Sequence, residues 1–333
     1  MQSSAESTLK SANRKPWLDA LRALAMIFVV YGHMYNGSNE YFVFTSAVKI
    51  PLFFAVSGYL FSAKHSYADF FKKLFFRLLV PYFFLSLFPL RLVLSLIPSF
   101  PLDFKEELFR FVSGESLWYL PCCIIAEIIH FFIRKVSKAP YAVIIISAVS
   151  GFAGFVMLRF GVADFLFVNT AFIAQIFMLI GYIVRTFEDL LAKQSAKIIP
   201  VSAIIYLALA VTSLKLYPKE CMDIHVGRYY NIPICLAMIV SGCICLFLVF
   251  MEIRSHLRFM TFIGCNTLVF YAFNGYMKGA SLFAFSLIGF ELPENLLTGL
   301  ILTVIACIFC SFISVAVNKF LPEIAGKKRI RKS

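Results

Sequence analysis

The stretch Trp17–Tyr35, WLDALRALAMIFVVYGHMY, is long enough to cross a bilayer. About 20 apolar residues, each rising about 1.5 Å, cover the roughly 30 Å hydrocarbon core. It nevertheless carries Asp19, Arg22 and His33. An Arg or Asp near the centre of a membrane helix costs about 3 kcal/mol, so such residues mark a functional site by default. Arg22 and His33 are eleven residues apart. At about 100° per residue that is three turns plus roughly 20°, so both leave the same helix face about 16 Å apart. Asp19, three residues before Arg22, suits an intrahelical ion pair. The plain alternative is a polar seam between packed helices.

Composition extends this reading to the whole chain. Of 333 residues 61% are hydrophobic and 15% charged, and the mean hydropathy is +0.85. A soluble domain is nearer half apolar and a quarter charged. The expected fold class is all-α: a polytopic membrane helical bundle of about 10 transmembrane helices. The expected spans are 18–35, 42–61, 74–96, 117–133, 140–158, 167–184, 198–214, 232–251, 260–277 and 297–317. With the N-terminus inside, 20 basic residues fall on inner segments and 7 on outer loops. That bias puts both termini in the cytoplasm and explains the net charge of +13 without nucleic acid. No repeat or long linker is visible, so residues 1–333 read as one transmembrane domain, with a polar tail 1–16 and a basic tail 319–333. No cleavable signal peptide is expected. The nine cysteines sit mostly in apolar segments without flanking His or carboxylate groups, and no metal site is expected.

A His toward the outer end can act as a general base, since its unperturbed pKa is near 6.5. An Arg toward the inner end can hold a phosphate or polarise a carbonyl. Together they suggest a reaction joining molecules from opposite sides of the membrane.

Arg22-x10-His33, preceded by Leu18-Asp19-Ala20-Leu21, resembles the opening motif of the acyltransferase-3 family of membrane acyltransferases. Lys49-Ile-Pro-Leu-Phe-Phe-Ala-Val-Ser57-Gly58-Tyr59 is similar to that family's second-helix signature. Phe71-Lys72-Lys73 through Arg77 to Val80-Pro81-Tyr82, then Leu117-Trp118-Tyr119-Leu120, then Ile263-Gly264-Cys265-Asn266-Thr267 through Tyr271 resemble later landmarks, in order. The short form without a soluble domain looks nearest to sugar O-acetyltransferases.

That resemblance implies transfer of an acyl group, acetyl in the first instance, from acyl-CoA to a hydroxyl of a cell-surface or exported glycan. His33 would be the base or acyl relay. Arg22, paired with Asp19, would position the donor or the helix. Acetyl-CoA would be a co-substrate, with no permanently bound cofactor. The partners implied are the acyl-CoA donor, a glycan or sugar acceptor and the lipid bilayer, with a homodimer as an option, at the cell inner (plasma) membrane. Two departures stand out. Lys73-x3-Arg77 replaces an Arg-x2-Arg pair, and Asn274 occupies a place where many relatives carry a His, so a two-His mechanism is not expected.

Other residues keep two readings. Lys72, Lys73 and Arg77 gather where a phosphate-rich donor would arrive, and Lys49 and Arg77 could either bind CoA phosphates or snorkel to the interface. Ser57 and Gly58 allow close helix packing or line the acyl path. Trp118 is an interface anchor or a stacking surface for a sugar. Arg228 and Tyr229, with His225 and Tyr230, form an outer-loop patch for the acceptor. Gln175 and Asn274 are helix-to-helix glue or ligands. Glu127 and His130 are a proton relay or an interfacial ion pair beside Arg134. The rival class is an exporter of a glycan or small molecule. Transporters often show a duplicated half, and none is visible.

Overall fold

Helices pack laterally along most of the chain in the computed structural model, which describes residues 15–35, 39–96, 102–253, 257–287, 289, 293 and 295–327. The tail before Lys15, Arg254 and the basic end 328–333 lie outside the described residues. Among those described, the extended structure is confined to a bridge between Asp223 and Arg228.

Helix α1 (Pro16–Met34) begins with Pro16 in its first turn, where a missing N–H leaves no intrahelical bond unmade. Helix α2 (Asn39–Leu60) runs on through Pro51. Next come α3 (Tyr67–Leu74), a π-helical turn at Phe75–Leu79, α4 (Val80–Leu85) and α5 (Phe88–Leu94). This span starts at Tyr67 rather than at the expected residue 74, because the Ser66 hydroxyl caps it by accepting from the Asp69 N–H at 3.1 Å. The short α6 (Phe104–Ser113) is capped by Asp103 and stopped by Gly114 at φ 91°. The chain continues with α7 (Tyr119–Val136), α8 (Pro140–Arg159), α9 (Val168–Thr186), α10 (Glu188–Lys193) and α11 (Ser195–Leu216). Last are α12 (Ile232–Ile253), α13 (Arg258–Cys265), α14 (Thr267–Leu287) and α15 (Leu296–Phe320).

Among the described residues, eight helical stretches are long and apolar enough to cross a membrane by length and composition. They coincide with eight of the ten expected spans. The other two, 117–133 and 260–277, are helical as α7 and α13–α14. Helix α7 carries Glu127, Arg134 and Lys135, and α14 carries Asn274 and Lys278, which lowers their apolar character.

Helix α1 lies at the centre, packed against α2, α12, α13, α14 and α15, while α9 packs along α2, α7 and α8. The most apolar windows of α2 and of the α9 region are 78% buried, against 17% for α11. The outer face of α11 is therefore turned to lipid. Glycines set the tightest crossings: a Cβ on Gly181 would land on the Ala55 carbonyl oxygen, one on Gly58 on that of Met178, and one on Gly264 on that of Asp19. Small residues let membrane helices approach backbone to backbone in this way.

At the basic end of the bundle, Lys15 donates to both Glu188 carboxylate oxygens at 2.6 and 2.8 Å, and the Tyr59 hydroxyl donates to Glu188 at 2.6 Å. This ties α1, α2 and α10 together. Burial pushes the Glu188 carboxyl up, but the hydrogen bonds from Lys15 and Tyr59 and the charges of Lys15 and Arg185 outweigh it, so it titrates below its ordinary 4.5. A depressed carboxylate pKa adds stability above the unfolded value and loses it as pH falls through the folded one. Thermal melts are expected to fall as the pH is taken below about 4.5. The variant Glu188→Gln should melt lower at neutral pH and show a flatter acid limb; an unchanged acid limb would remove Glu188 as its cause.

Candidate active site: two chambers joined along helix α1

Arg22 leaves α1 toward the basic end, 3.6 Å from Asp19. It borders a chamber of two adjoining lobes, of about 660 and 690 Å³. Both lobes are lined by Arg22, Ser57, Arg77, Glu127 and Lys327. The first reaches up to Val29, Ile50, Tyr119 and Tyr271; the second opens at Lys72, Lys73 and His65. Lys72 and Lys73 are exposed on α3, and Lys73 donates to His65 at 2.9 Å.

Arg77 projects from the π turn onto Glu127 of α7 in an ion pair. Glu127 is buried, with a side chain 5% exposed, and the Cys123 thiol also faces it at 3.9 Å. Of the two readings for Glu127 and His130, a proton relay or an interfacial ion pair beside Arg134, Glu127 takes the ion pair, but with Arg77, since seven residues of helix set Arg134 about 10 Å further along. Arg134 instead lies over the Tyr182 ring at 4.3 Å. His130 is buried against Phe61, edge to face at 4.8 Å, and its ring nitrogens find no hydrogen-bond partner among the described residues.

Ser57 and Gly58 divide the two roles that the sequence left open. Gly58 makes the backbone contact with α9, and Ser57, half-buried, lines the chamber. The C-terminal segment closes the floor: Lys327 donates to Asn266 at 2.6 Å and to Asn318 at 2.8 Å.

Toward the other end, a pocket of about 320 Å³ holds His33, Lys49, Trp118, Asp223 and His225. It shares Val29, Ile50 and Tyr271 with the first lobe, so these three side chains form the partition between the chambers. His33 is exposed into this space in the last turn of α1. Lys49 sits here with His33 and away from Arg77. Trp118 lies 5.0 Å from the His225 ring and 5.5 Å from Phe167. The reach of the loop depends on the Asp223–Arg228 bridge, whose backbone bonds run 2.9 and 2.8 Å. It buries Met222 and Ile224 and turns Asp223 and His225 into the pocket.

Arg228 and Tyr229 are not brought to His33. Arg228 is exposed, and Tyr229 packs edge-on against Phe155. Asn274 is buried on α14 and donates to the Phe270 and Tyr271 carbonyls of its own helix at 3.0 and 2.8 Å, outside these cavities. Gln175 does act between helices, donating to Ala126 of α7 at 2.9 Å. Asp223, Lys327 and Tyr271 as wall residues were not predicted from the sequence. Spacing within one helix carries no signal for a loop that folds back or a tail that returns. Among the described residues, no group of three or more His, Cys, Asp or Glu side chains could hold a metal ion.

A helical bundle with a chamber toward each end, threaded by one ionisable helix, defines a polytopic membrane protein. A family profile described as the acyltransferase domain, acyltransferase-3, matches residues 15–316. The chain belongs to that family and is a membrane acyltransferase. No curated protein and no solved structure matches it.

Proposed function

We propose that the protein is an O-acyltransferase that moves an acetyl group from acetyl-CoA to a hydroxyl of a cell-surface or exported glycan, with His33 as base. One observation carries this reading: α1 presents Arg22 to the large basic-end chamber and His33 to the smaller one, and the two meet at Val29, Ile50 and Tyr271. By charge distribution the basic end is cytoplasmic, where acyl-CoA is available. Lys72, Lys73 and Arg77 suit its phosphates, and Ser57 lies along the route of the acyl arm past Arg22. Asp19 holds Arg22 in register. In the direct form, His33 takes the proton of the acceptor hydroxyl, whose oxygen attacks the thioester carbonyl. A C–O bond forms, the C–S bond breaks, and the proton passes to the departing thiolate. In the relay form a His33 nitrogen attacks the thioester first, the C–S bond breaks and the thiolate leaves with the imidazole proton. The acceptor oxygen then takes the acyl group, the C–N bond breaks and the hydroxyl proton returns to the imidazole. Polar groups in a water-poor partition would stabilise the oxyanion more strongly than water does.

Purified protein given radiolabelled acetyl-CoA and a glycan pool should transfer label to glycan. Flux of labelled glycan across vesicles without CoA, and no thioester consumption, would favour export instead. The double variant Lys72→Ala/Lys73→Ala should raise KM for acetyl-CoA roughly 10-fold, with an effect that shrinks at high salt and little change in melting, since both side chains are exposed. An unchanged KM would take these lysines out of donor binding.

A further inference from the structure

We infer that the outer pocket selects an acceptor sugar carrying an anionic group, a carboxylate or a phosphoryl group, with Lys49 as its counter-charge. The inference rests on the acyl-transfer reading of this pocket and names its acceptor class. Lys49 lies ten residues into α2, about 15 Å from the helix start, at a depth where an ionisable side chain is retained for a partner. Its ammonium lies 5.1 Å from the Phe42 ring and shares the pocket with His33 and Asp223. It makes no hydrogen bond and no ion pair among the described residues. Its Nζ lies beside the backbone of Gly32, within 3.7 Å of where a Cβ would stand, and so next to His33.

The carboxylate in the pocket wall acts on Lys49 across the pocket and not as a direct ion pair. Asp223 lies beyond the 4 Å of an ion pair, and its Oδ1 accepts from the His225 N–H at 3.0 Å. An ammonium facing a confined cavity without a counter-ion in contact is costly, and a neutral sugar would leave much of that cost in place. An anionic one offsets it. The remaining walls suit a sugar ring: Trp118 and His225 lie side by side with 37° between their planes. The volume of about 320 Å³ stands at the small end of ligand sites, which run from about 300 to 1,000 Å³, as a single sugar unit requires.

The full chain, purified in detergent, would be titrated with methyl β-glucuronide, glucose 6-phosphate and methyl β-glucoside, following the fluorescence of Trp118 in a Trp17→Phe background. The charged sugars should bind about 10- to 100-fold more tightly than the glucoside, with the stronger of the two showing whether carboxylate or phosphoryl is preferred. Lys49→Met should abolish that difference, and Lys49→Arg should keep most of it, which guards against a folding artefact. Equal binding of charged and uncharged sugars, binding of none, or a preference that survives in Lys49→Met would overturn the inference. So would a fall in kcat alone, the signature of a lysine that acts only on the oxyanion. Lys49-dependent selectivity without label transfer from acetyl-CoA would support the pocket assignment and remove the transfer reading.

Discussion

Replacing His33 by alanine is expected to lower acyl transfer by about 10²- to 10⁴-fold, the usual span for loss of a positioned general base, and to leave the bundle folded. The second half follows from the structure. His33 is exposed in the last turn of α1 and makes no hydrogen bond among the described residues. Truncation therefore strands no buried partner and opens no packed core, the two usual sources of large destabilisation. The comparison is label transfer by wild type and His33→Ala at matched monodispersity and melting temperature. His33→Gln, which keeps hydrogen bonding but cannot act as a base at neutral pH, should be as inactive as the alanine variant. Transfer within a few-fold of wild type in either would take the base role from His33. In the relay form, brief incubation with labelled acetyl-CoA without acceptor should leave label on the wild-type protein and none on the variants.

A second large effect is expected at Gly181, far from any reacting atom. A Cβ there would meet the Ala55 carbonyl oxygen and the Tyr59 backbone nitrogen. These are backbone atoms of α2, and no side chain can rotate away. Overpacking that side chains absorb costs about 1–3 kcal/mol, and Gly181→Ala should cost about 3 kcal/mol or more because two helices must separate. Helix α2 also carries Ser57 and Lys49, so the separation reaches both chambers. The melting temperature should drop by roughly 5–10 °C, with a loss of folded yield in the membrane. Gly275 gives the control: nothing lies within 4 Å of its added Cβ, and Gly275→Ala should be neutral or slightly stabilising. Equal melting of the two alanine variants would show that the α2–α9 contact is looser than described.

The asymmetry between these two sites also separates what could be read in advance from what could not. The membrane bundle was legible because hydropathy is a property of consecutive residues. Eight expected spans recur as helices long and apolar enough to cross, and the remaining two are helical. Arg22 and His33 were legible because helical geometry fixes their shared face whatever surrounds them. The pairing of Arg77 with Glu127 was not. The two residues are 50 positions apart, and Arg134, on the same helix as Glu127, was the nearer candidate in sequence. Ser57 and Gly58 show a limit of another kind: adjacent residues on a helix point about 100° apart, so one can pack while the other lines a chamber, and sequence cannot say which.

By itself, the sequence determined an all-helical membrane chain, the ionisable stripe on α1 and the resemblance that the family match bears out. Those rest on local periodicity, on composition and on ordered motifs, which need no knowledge of neighbours. Only the tertiary structure decided that Lys49 shares a pocket with His33, that Asp223 and His225 rather than Arg228 and Tyr229 face it, and that Lys327 returns to close the other chamber. These placements depend on which helices lie side by side and at what rotation. Lateral packing sets both, through contacts such as Gly181 on Ala55 between segments more than a hundred residues apart.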